Sequence, residues 1–229
     1  MATHLITGAG SGIGAAVARR LHERGDDLLL LARDAGRAKE IAADLPGART
    51  LVGDLAAPDR LSWALSHQTL PDRLDSVLHI AGVVDLGPVA ELSVKTWRAQ
   101  LDVNLLAPAE LIRLLLPQLR AARGQAIFVN SGAGLSANAE WGAYAASKHG
   151  LKALADALRA EESANGVRVT TVYPGRTASP MQEKVHRQEG KAYDASGLID
   201  PESVATAILS ALDLPRDARI DDMTVRPGR

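Results

Sequence analysis

The chain has 229 residues, a formal net charge of −1 and no cysteine. Its near-neutral charge gives no basic surface for nucleic acid, and the lack of thiols excludes disulfides, thiolate metal sites and cysteine nucleophiles. The apolar runs are far shorter than the roughly 20 residues of a membrane span, and the N-terminus has no signal-like pattern. We expect a cytoplasmic protein of one large or two small domains, without a nucleic-acid or membrane partner.

Short apolar runs alternate with longer helical patterns along the chain. The predicted strands are residues 4–7, 28–32, 50–52, 76–80, 126–130, 168–173 and 223–226. Most are continuous apolar runs, which are typical of strands buried on both faces of a parallel sheet. The predicted helices are residues 14–24, 97–122, 143–165 and 203–212. This alternation predicts an α/β fold with a doubly wound, seven-stranded parallel sheet and helices on both faces.

No linker, repeat or low-complexity segment interrupts this pattern, so residues 1–229 are expected to form a single domain. Residues 176–200 lack strand character and are mostly polar. Polar connecting segments of this length often cover a binding site and move when it is occupied. We therefore predict that residues 176–200 form a lid over a substrate.

A glycine-rich turn joins the first predicted strand to the first helix and reads T-G-A-G-S-G-I-G at residues 7–14. Missing side chains allow backbone to approach a pyrophosphate closely, and the helix N-terminus adds N–H donors and a positive dipole end. Glycines can also serve only to make a tight turn. Their place between the first strand and the first helix favours dinucleotide binding.

Tyr144 and Lys148 lie four residues apart and would share one face of a helix. An unperturbed tyrosine has a pKa near 10, and a nearby ammonium together with a positive nicotinamide ring would lower it. The phenol could then exchange a proton with a substrate alcohol. Ser131 follows the fifth strand and could hold the same oxygen. Each feature arises by chance in other proteins, so the prediction depends on their joint order.

Together these motifs resemble those of the short-chain dehydrogenase/reductase family, and the resemblance covers nearly the whole chain. Residues 7–14 match T-G-x-x-x-G-x-G, and residues 144–148 match Y-x-x-x-K. The resemblance implies a Rossmann-type fold and a catalytic set of Asn104, Ser131, Tyr144 and Lys148. In that set Asn104 positions a water that links the lysine to solvent. Alternatively, Asn104 is a mid-helix polar residue bonded to local backbone.

The resemblance also implies a nicotinamide cofactor site and no metal. Its expected contacts are Gly8, Ser11, Gly12, Ile13, Gly14, Arg33, Asp54, Leu55, Ala81, Gly82, Asn104, Tyr144, Lys148, Pro174, Gly175 and Thr177. Asp54 corresponds to an acid that contacts adenine, whereas Thr177 and Ser179 correspond to hydroxyls near the nicotinamide. One departure lies after the fourth strand, where Ile80 replaces an asparagine that would brace neighbouring strands. We expect no long C-terminal contribution to the site.

The end of the second strand is expected to decide the preferred cofactor. Ala32 stands where NAD-dependent members carry a ribose-binding acid, and Arg33 stands where NADP-dependent members often carry arginine. A guanidinium fork can bind the 2′-phosphate of NADP, with Ser11 and Arg37 in reach. A register shift would instead make Asp34 the ribose-binding acid. We predict that NADP(H) is preferred and that NAD(H) remains possible.

The expected reaction is reversible hydride transfer between NADP(H) and a small-molecule carbonyl or secondary alcohol, with Tyr144 as general acid/base. Alternatives are a sugar-nucleotide epimerase or dehydratase, which usually has an added C-terminal substrate domain, and a silent cofactor-sensing protein, against which the intact catalytic set argues. Arg176 follows Pro174-Gly175 and would either attract an acidic substrate or face solvent.

The family also commonly forms homodimers or homotetramers through the helices after strands four and five. Small side chains on the second of these helices would permit close packing against a partner. They are Ala143, Ala146, Ala153, Ala157 and Ala160. The alternative is that these alanines pack against the chain's own sheet.

Overall fold

The computed structural model describes residues 1–228, so Arg229, the last residue of the expected domain, lies outside the described residues. The strands are β1 (Thr3–Thr7), β2 (Asp27–Ala32), β3 (Arg49–Val52), β4 (Ser76–His79), β5 (Gln125–Val129), β6 (Arg168–Pro174) and β7 (Asp222–Val225). They form one parallel sheet in the order β3-β2-β1-β4-β5-β6-β7. The predicted fold is therefore confirmed, and each predicted strand boundary lies within one residue of the observed one.

The helices within residues 1–228 are α1 (Gly12–Glu23), α2 (Ala35–Asp44), α3 (Leu61–Ser66), α4 (Val94–Leu101), α5 (Ala107–Ala122), α6 (Gly142–Glu162), α7 (Pro180–Gln188) and α8 (Pro201–Leu212). The sequence analysis did not predict α2, α3 or α7. The helix predicted over residues 97–122 is α4 and α5, joined by a π-helical stretch at Asp102–Leu106. No described helix is long and apolar enough to cross a lipid bilayer.

The leucine run of β2 shows how the sheet supports a core on each face. Successive side chains of a strand point to opposite faces. Leu28 and Leu30 pack with α1, α2 and α8 on one face, whereas Leu29 and Leu31 pack with α3, α5 and α6 on the other. A continuous apolar run is therefore what a strand between two helical layers requires.

Thr7 braces the carboxyl ends of β1 and β4. Its hydroxyl accepts hydrogen bonds from the backbone N–H groups of Ile80 and Ala81, each at 3.1 Å. Ile80 has no side-chain amide with which to brace these strands, and Thr7 supplies the contact instead. This brace fixes the position of the backbone that leads out of β4.

His79 is buried in the core at the end of β4. Its ring stacks on Phe128 with 4.7 Å between centroids, and neither ring nitrogen has a hydrogen-bond partner among the described residues. Burial lowers the pKa of the imidazole to about 3. The ring is thus neutral at physiological pH and acts as an apolar surface.

We predict that His79→Leu weakens the acid sensitivity of the fold. Between about pH 6.5 and pH 3 the unfolded chain binds a proton at His79 that the folded chain does not. Protonation of His79 therefore does not reduce the free energy of unfolding above about pH 6.5, and it reduces that free energy progressively as the pH falls below this value. Lowering the pH from 7.5 to 5 should cost the wild type about 2 kcal/mol more than the variant. Urea unfolding at both pH values measures the difference.

The exposed His67 provides the matched control. His67→Leu should keep the wild-type difference between the two pH values. Identical differences in wild type and His79→Leu would contradict the prediction.

Candidate active site

A cavity of about 450 Å³ opens at the carboxyl ends of β1, β4, β5 and β6. The strand order reverses between β1 and β4, and open α/β sheets bind ligands at such a switch point. The predicted site residues that line this cavity are Gly8, Ser11, Gly12, Ile13, Gly14, Ala81, Gly82, Ser131, Tyr144, Lys148, Pro174, Gly175 and Thr177. Residues from five separate stretches of the sequence therefore meet at one edge of the sheet.

The glycine-rich turn has the shape of a phosphate cradle. Gly8 and Gly12 have φ angles of +77° and +51°, which favour glycine. A Cβ on Gly8 would lie 2.8 Å from the Ala81 nitrogen, and one on Gly14 would lie 2.1 Å from the Gly8 oxygen. The Ser11 side chain makes no capping hydrogen bond to α1, so the first N–H groups of the helix remain available to an anion. These features fit a dinucleotide pyrophosphate.

Ser131, Tyr144 and Lys148 converge beside this turn. Ser131 follows β5, and its hydroxyl lies close enough to the Tyr144 phenol to affect the pKa of the phenol. Tyr144 and Lys148 are both buried on α6. The Lys148 ammonium donates to the Val129 oxygen at 3.0 Å and lies 5.9 Å from the centre of the Tyr144 ring. Ser131 and Tyr144 can therefore act on one substrate oxygen, with the charge of Lys148 beside the phenol.

The sequence predicts that Lys148 and a positive nicotinamide ring together lower the pKa of Tyr144. Burial raises the pKa of the phenol to about 12, although the neighbouring Ser131 hydroxyl opposes this shift. Burial also lowers the pKa of Lys148 to about 8. Loss of hydration outweighs the effect of an ammonium that is directed at a backbone carbonyl, and the effect of a positive nicotinamide ring stays a prediction. At neutral pH the phenol is protonated and can donate a proton.

Asn104 lies in the π-helical stretch between α4 and α5. Its side-chain amide accepts from the Val83 nitrogen and donates to the Val83 oxygen, both at 2.8 Å, and also donates to the Ser147 hydroxyl at 3.0 Å. Asn104 does not line the cavity. It is bonded to backbone, but to a distant segment rather than to its own helix. It ties the chain after β4 to α6, the helix that carries Lys148.

Comparisons with known proteins agree with this geometry. A sequence model of the short chain dehydrogenase family matches residues 2–190. The chain belongs to the short-chain dehydrogenase/reductase family. It is thus an NAD(P)-dependent oxidoreductase that transfers a hydride to or from a nicotinamide cofactor.

Relatives match the chain over most of its length. An uncharacterized oxidoreductase of Staphylococcus epidermidis is 28% identical, over 97% of this chain and 96% of its own. A solved short chain dehydrogenase/reductase family protein is 30% identical, with a TM-score of 0.86 over 99% of this chain and 96% of its own. An alcohol dehydrogenase from Thermococcus sibiricus, solved with 5-hydroxy-NADP, is 26% identical, with a TM-score of 0.82 over 100% of this chain and 97% of its own.

Arg33, Asp54 and Leu55 do not line the cavity. Arg33 follows β2 with 76% of its side chain exposed, and its Nε lies 3.1 Å from an Asp34 oxygen. Asp54 accepts from the Ala56 nitrogen at 2.9 Å, and Leu55 packs against the core. These residues follow β2 and β3, on the side of β1 away from Tyr144. They lie along the same edge of the sheet as the glycine-rich turn, where a long dinucleotide would extend.

The segment of residues 176–200 contains α7, which its polar sequence concealed. Ser179 caps this helix by accepting from the Gln182 nitrogen at 3.2 Å, and Pro180 is its first residue. A serine followed by proline is a helix-start signal that the sequence analysis could have used. Lys184 holds the helix against the chain after β4 through an ion pair with Asp85 at 2.6 Å.

The Arg176 guanidinium is paired with a carboxylate of the protein. Neither of the two interpretations considered for Arg176 included this pairing. Its guanidinium makes two hydrogen bonds to Glu189, at 2.8 and 2.5 Å, and lies 5.9 Å from the centre of the Trp141 indole. This pairing lowers the pKa of Glu189 to about 2. Arg176 lines the cavity, but its charge is already balanced there.

Arg226, which follows β7, also lines the cavity, and the sequence analysis missed it. Met181, Gln182 and Val185 of α7 line the cavity as well, within the segment predicted as a lid. Arg226 follows β7 and reaches Gly132, which directly follows Ser131. No local motif marks this arginine, because only the pairing of β7 with β6 brings it to the site. We expected no long C-terminal contribution to the site, and this expectation overlooked the side chain of Arg226.

Proposed function

We propose that the enzyme transfers a hydride between NADP(H) and a small-molecule carbonyl or secondary alcohol, with Tyr144 as general acid/base. The observation that carries this proposal is the convergence of Ser131, Tyr144 and Lys148 in the cavity beside the glycine-rich turn. A bound nicotinamide would supply or accept the hydride at the substrate carbon. Side chains of the protein would transfer the proton and orient the substrate.

The cofactor would be held along the carboxyl edge of the sheet. Backbone at Gly8, Gly12 and Gly14 would bind the pyrophosphate with the N-terminus of α1. Residues after β6 would contact the nicotinamide end, namely Pro174, Gly175 and Thr177. On the other side, Asp54 and Leu55 would contact adenine.

In the reductive direction Tyr144 would donate its phenolic proton to the carbonyl oxygen as negative charge develops there. The Ser131 hydroxyl would hydrogen-bond the same oxygen and hold it in line with the phenol. Lys148 would place positive charge beside the phenolate that forms. Asn104 is assigned a positioning role, because it ties Val83 to Ser147 next to this lysine.

We also propose that residues 176–200 cover the bound substrate. Met181, Gln182 and Val185 on α7 line the cavity opposite the strand ends. The ion pair between Lys184 and Asp85 and the clasp between Arg176 and Glu189 hold this segment in place. Closing such a segment excludes water from hydride transfer.

We predict that Tyr144→Phe lowers the turnover of a carbonyl substrate by at least the roughly 10²–10⁴-fold typical of a lost general acid. The ring remains, so NADPH should bind with unchanged affinity. Steady-state rates and NADPH fluorescence titration measure the two quantities. Tyr173→Phe makes the same chemical change on β6, outside the cavity, and should leave both quantities at wild-type values. Near-normal turnover by Tyr144→Phe would refute the mechanism.

The preference for NADP(H) rests on the charges around the glycine-rich turn. Arg33 is exposed after β2, and the Arg37 guanidinium donates to the Gly10 oxygen at 2.6 Å, over the turn itself. Asp34 caps α2 by accepting from the Arg37 nitrogen at 2.8 Å. Since that carboxylate is engaged by α2 and by Arg33, this argues against Asp34 as the ribose-binding acid.

We expect kcat/KM to be higher with NADPH than with NADH. A charged hydrogen bond to the 2′-phosphate would give about 10–100-fold discrimination. Arg33→Ala should lower this ratio by reducing kcat/KM for NADPH alone. Arg98→Ala, which removes an exposed arginine of α4, should leave the ratio unchanged. A wild-type preference for NADH, or an unchanged ratio in Arg33→Ala, would show that the determinant lies elsewhere.

We propose that the outer faces of α5 and α6 form a two-fold interface in a homodimer or homotetramer. Ala146, Ala153, Ala157 and Ala160 are exposed along α6 and leave room for a partner helix. Ala143 does not belong to this set, because its side chain is buried in the core.

Light scattering should give a mass of at least twice the 24.1 kDa of one chain at micromolar concentration. Ala157→Arg places a long charged side chain on the proposed interface and should shift the protein towards the monomer. Lys39→Arg on α2 is the control and should keep the wild-type mass. A stable wild-type monomer would rule out the interface.

A further inference from the structure

The charged groups that line the cavity are all cationic. Within residues 1–228, Lys148, Arg176 and Arg226 contribute side chains to its wall, and no aspartate or glutamate does. A cavity lined by one sign of charge concentrates ligands of the opposite sign. The glycine-rich turn meets the cofactor's pyrophosphate with backbone N–H groups, so these cations remain to be explained.

Two of the three cations are already engaged by other groups of the protein. Lys148 donates to the Val129 oxygen at 3.0 Å and lies beside Tyr144. Arg176 is neutralised by its two hydrogen bonds to Glu189. Arg226 differs, since in the part of the chain that the structure describes no carboxylate pairs with its guanidinium and no acceptor takes its hydrogen bonds.

Arg226 lies close to the reacting groups. It follows β7, whose Val225 is paired with Pro174 at the end of β6. A Cβ on Gly132 would lie 3.4 Å from Nη1 of Arg226, and Gly132 directly follows Ser131. The guanidinium is thus within a short molecule's length of the hydroxyl that would hold the substrate oxygen.

We propose that Arg226 binds a carboxylate of the substrate, so that the enzyme acts on short keto acids and the corresponding hydroxy acids. This inference rests on the proposed function, because Ser131 and Tyr144 fix where the reacting oxygen lies. The planar guanidinium fork matches the two oxygens of a carboxylate. The carboxylate stays unchanged, while the ketone gains a hydride from NADPH and a proton from Tyr144 to become a secondary alcohol.

The test compares each acid with its neutral ester. Rates are measured for 4-oxopentanoate, 3-oxobutanoate and their methyl esters with wild type and Arg226→Gln. We expect wild type to favour the acids, and Arg226→Gln to lower their kcat/KM by about 10–100-fold through KM while the esters are unaffected. Arg226→Lys should recover part of the loss because it restores the charge without the fork.

Two controls separate substrate binding from other effects. Arg73→Gln removes the same charge from the exposed loop before β4, outside the cavity, and should leave all four rates unchanged. NADPH affinity should be equal in wild type and Arg226→Gln. A loss of NADPH affinity, or an equal loss of rate for acids and esters, would overturn the proposal. So would dependence on Arg226 for dihydroxyacetone phosphate but not for the acids.

Calorimetry keeps this inference distinct from the proposed function. Protein loaded with NADP⁺ cannot reduce a ketone, so titration with 4-oxopentanoate reports binding alone. Binding to wild type that is lost in Arg226→Gln supports the carboxylate site, even if no carbonyl is turned over and the proposed reaction fails. Absence of binding to the loaded wild type, or equal binding to the variant, overturns it.

Discussion

The contact between the turn after β1 and the backbone after β4 supports the rest of the site. Gly8 approaches Ala81 so closely that a Cβ on Gly8 would lie 2.8 Å from the Ala81 nitrogen, and Thr7 fixes this approach with two hydrogen bonds. From there the chain reaches Val83, which is held by the Asn104 amide. The cradle for phosphate and the helix that carries the reacting groups are therefore joined by one continuous set of contacts.

Burial shifts the two titrating groups of the site in opposite directions. It raises the pKa of the Tyr144 phenol and lowers that of the Lys148 ammonium, because each charged form loses hydration. The phenol is thereby kept protonated, and the pKa of the ammonium is brought close to neutral pH. The protein alone thus favours the proton-donating state of Tyr144.

The sheet could be predicted from the sequence because strands buried on both faces leave continuous apolar runs, as β2 does. The glycine-rich turn and the pair of Tyr144 and Lys148 could be recognised for a different reason, because each depends on residues that are close together in the chain. The helix α7 escaped because its sequence is polar and its start depends on Ser179 and Pro180. Arg226 escaped because its proximity to Gly132 exists only after β7 joins β6. The effect of burial on the pKa of Tyr144 could not be predicted, because burial cannot be inferred from the spacing of residues.

The clasp between Arg176 and Glu189 has a mechanical consequence. It joins the two ends of residues 176–189, so α7 and its flanking turns form a loop that is closed by a contact between two side chains. Neither end of this segment can separate from the other without breaking the contact between Arg176 and Glu189. Opposite this closure, Asp85 contacts both Lys184 and Gln188. The Leu86 nitrogen also donates to Gln188, and Val185 packs with Val84 and Tyr144. Polar and apolar contacts that would have to break together therefore tie this helix to the chain after β4.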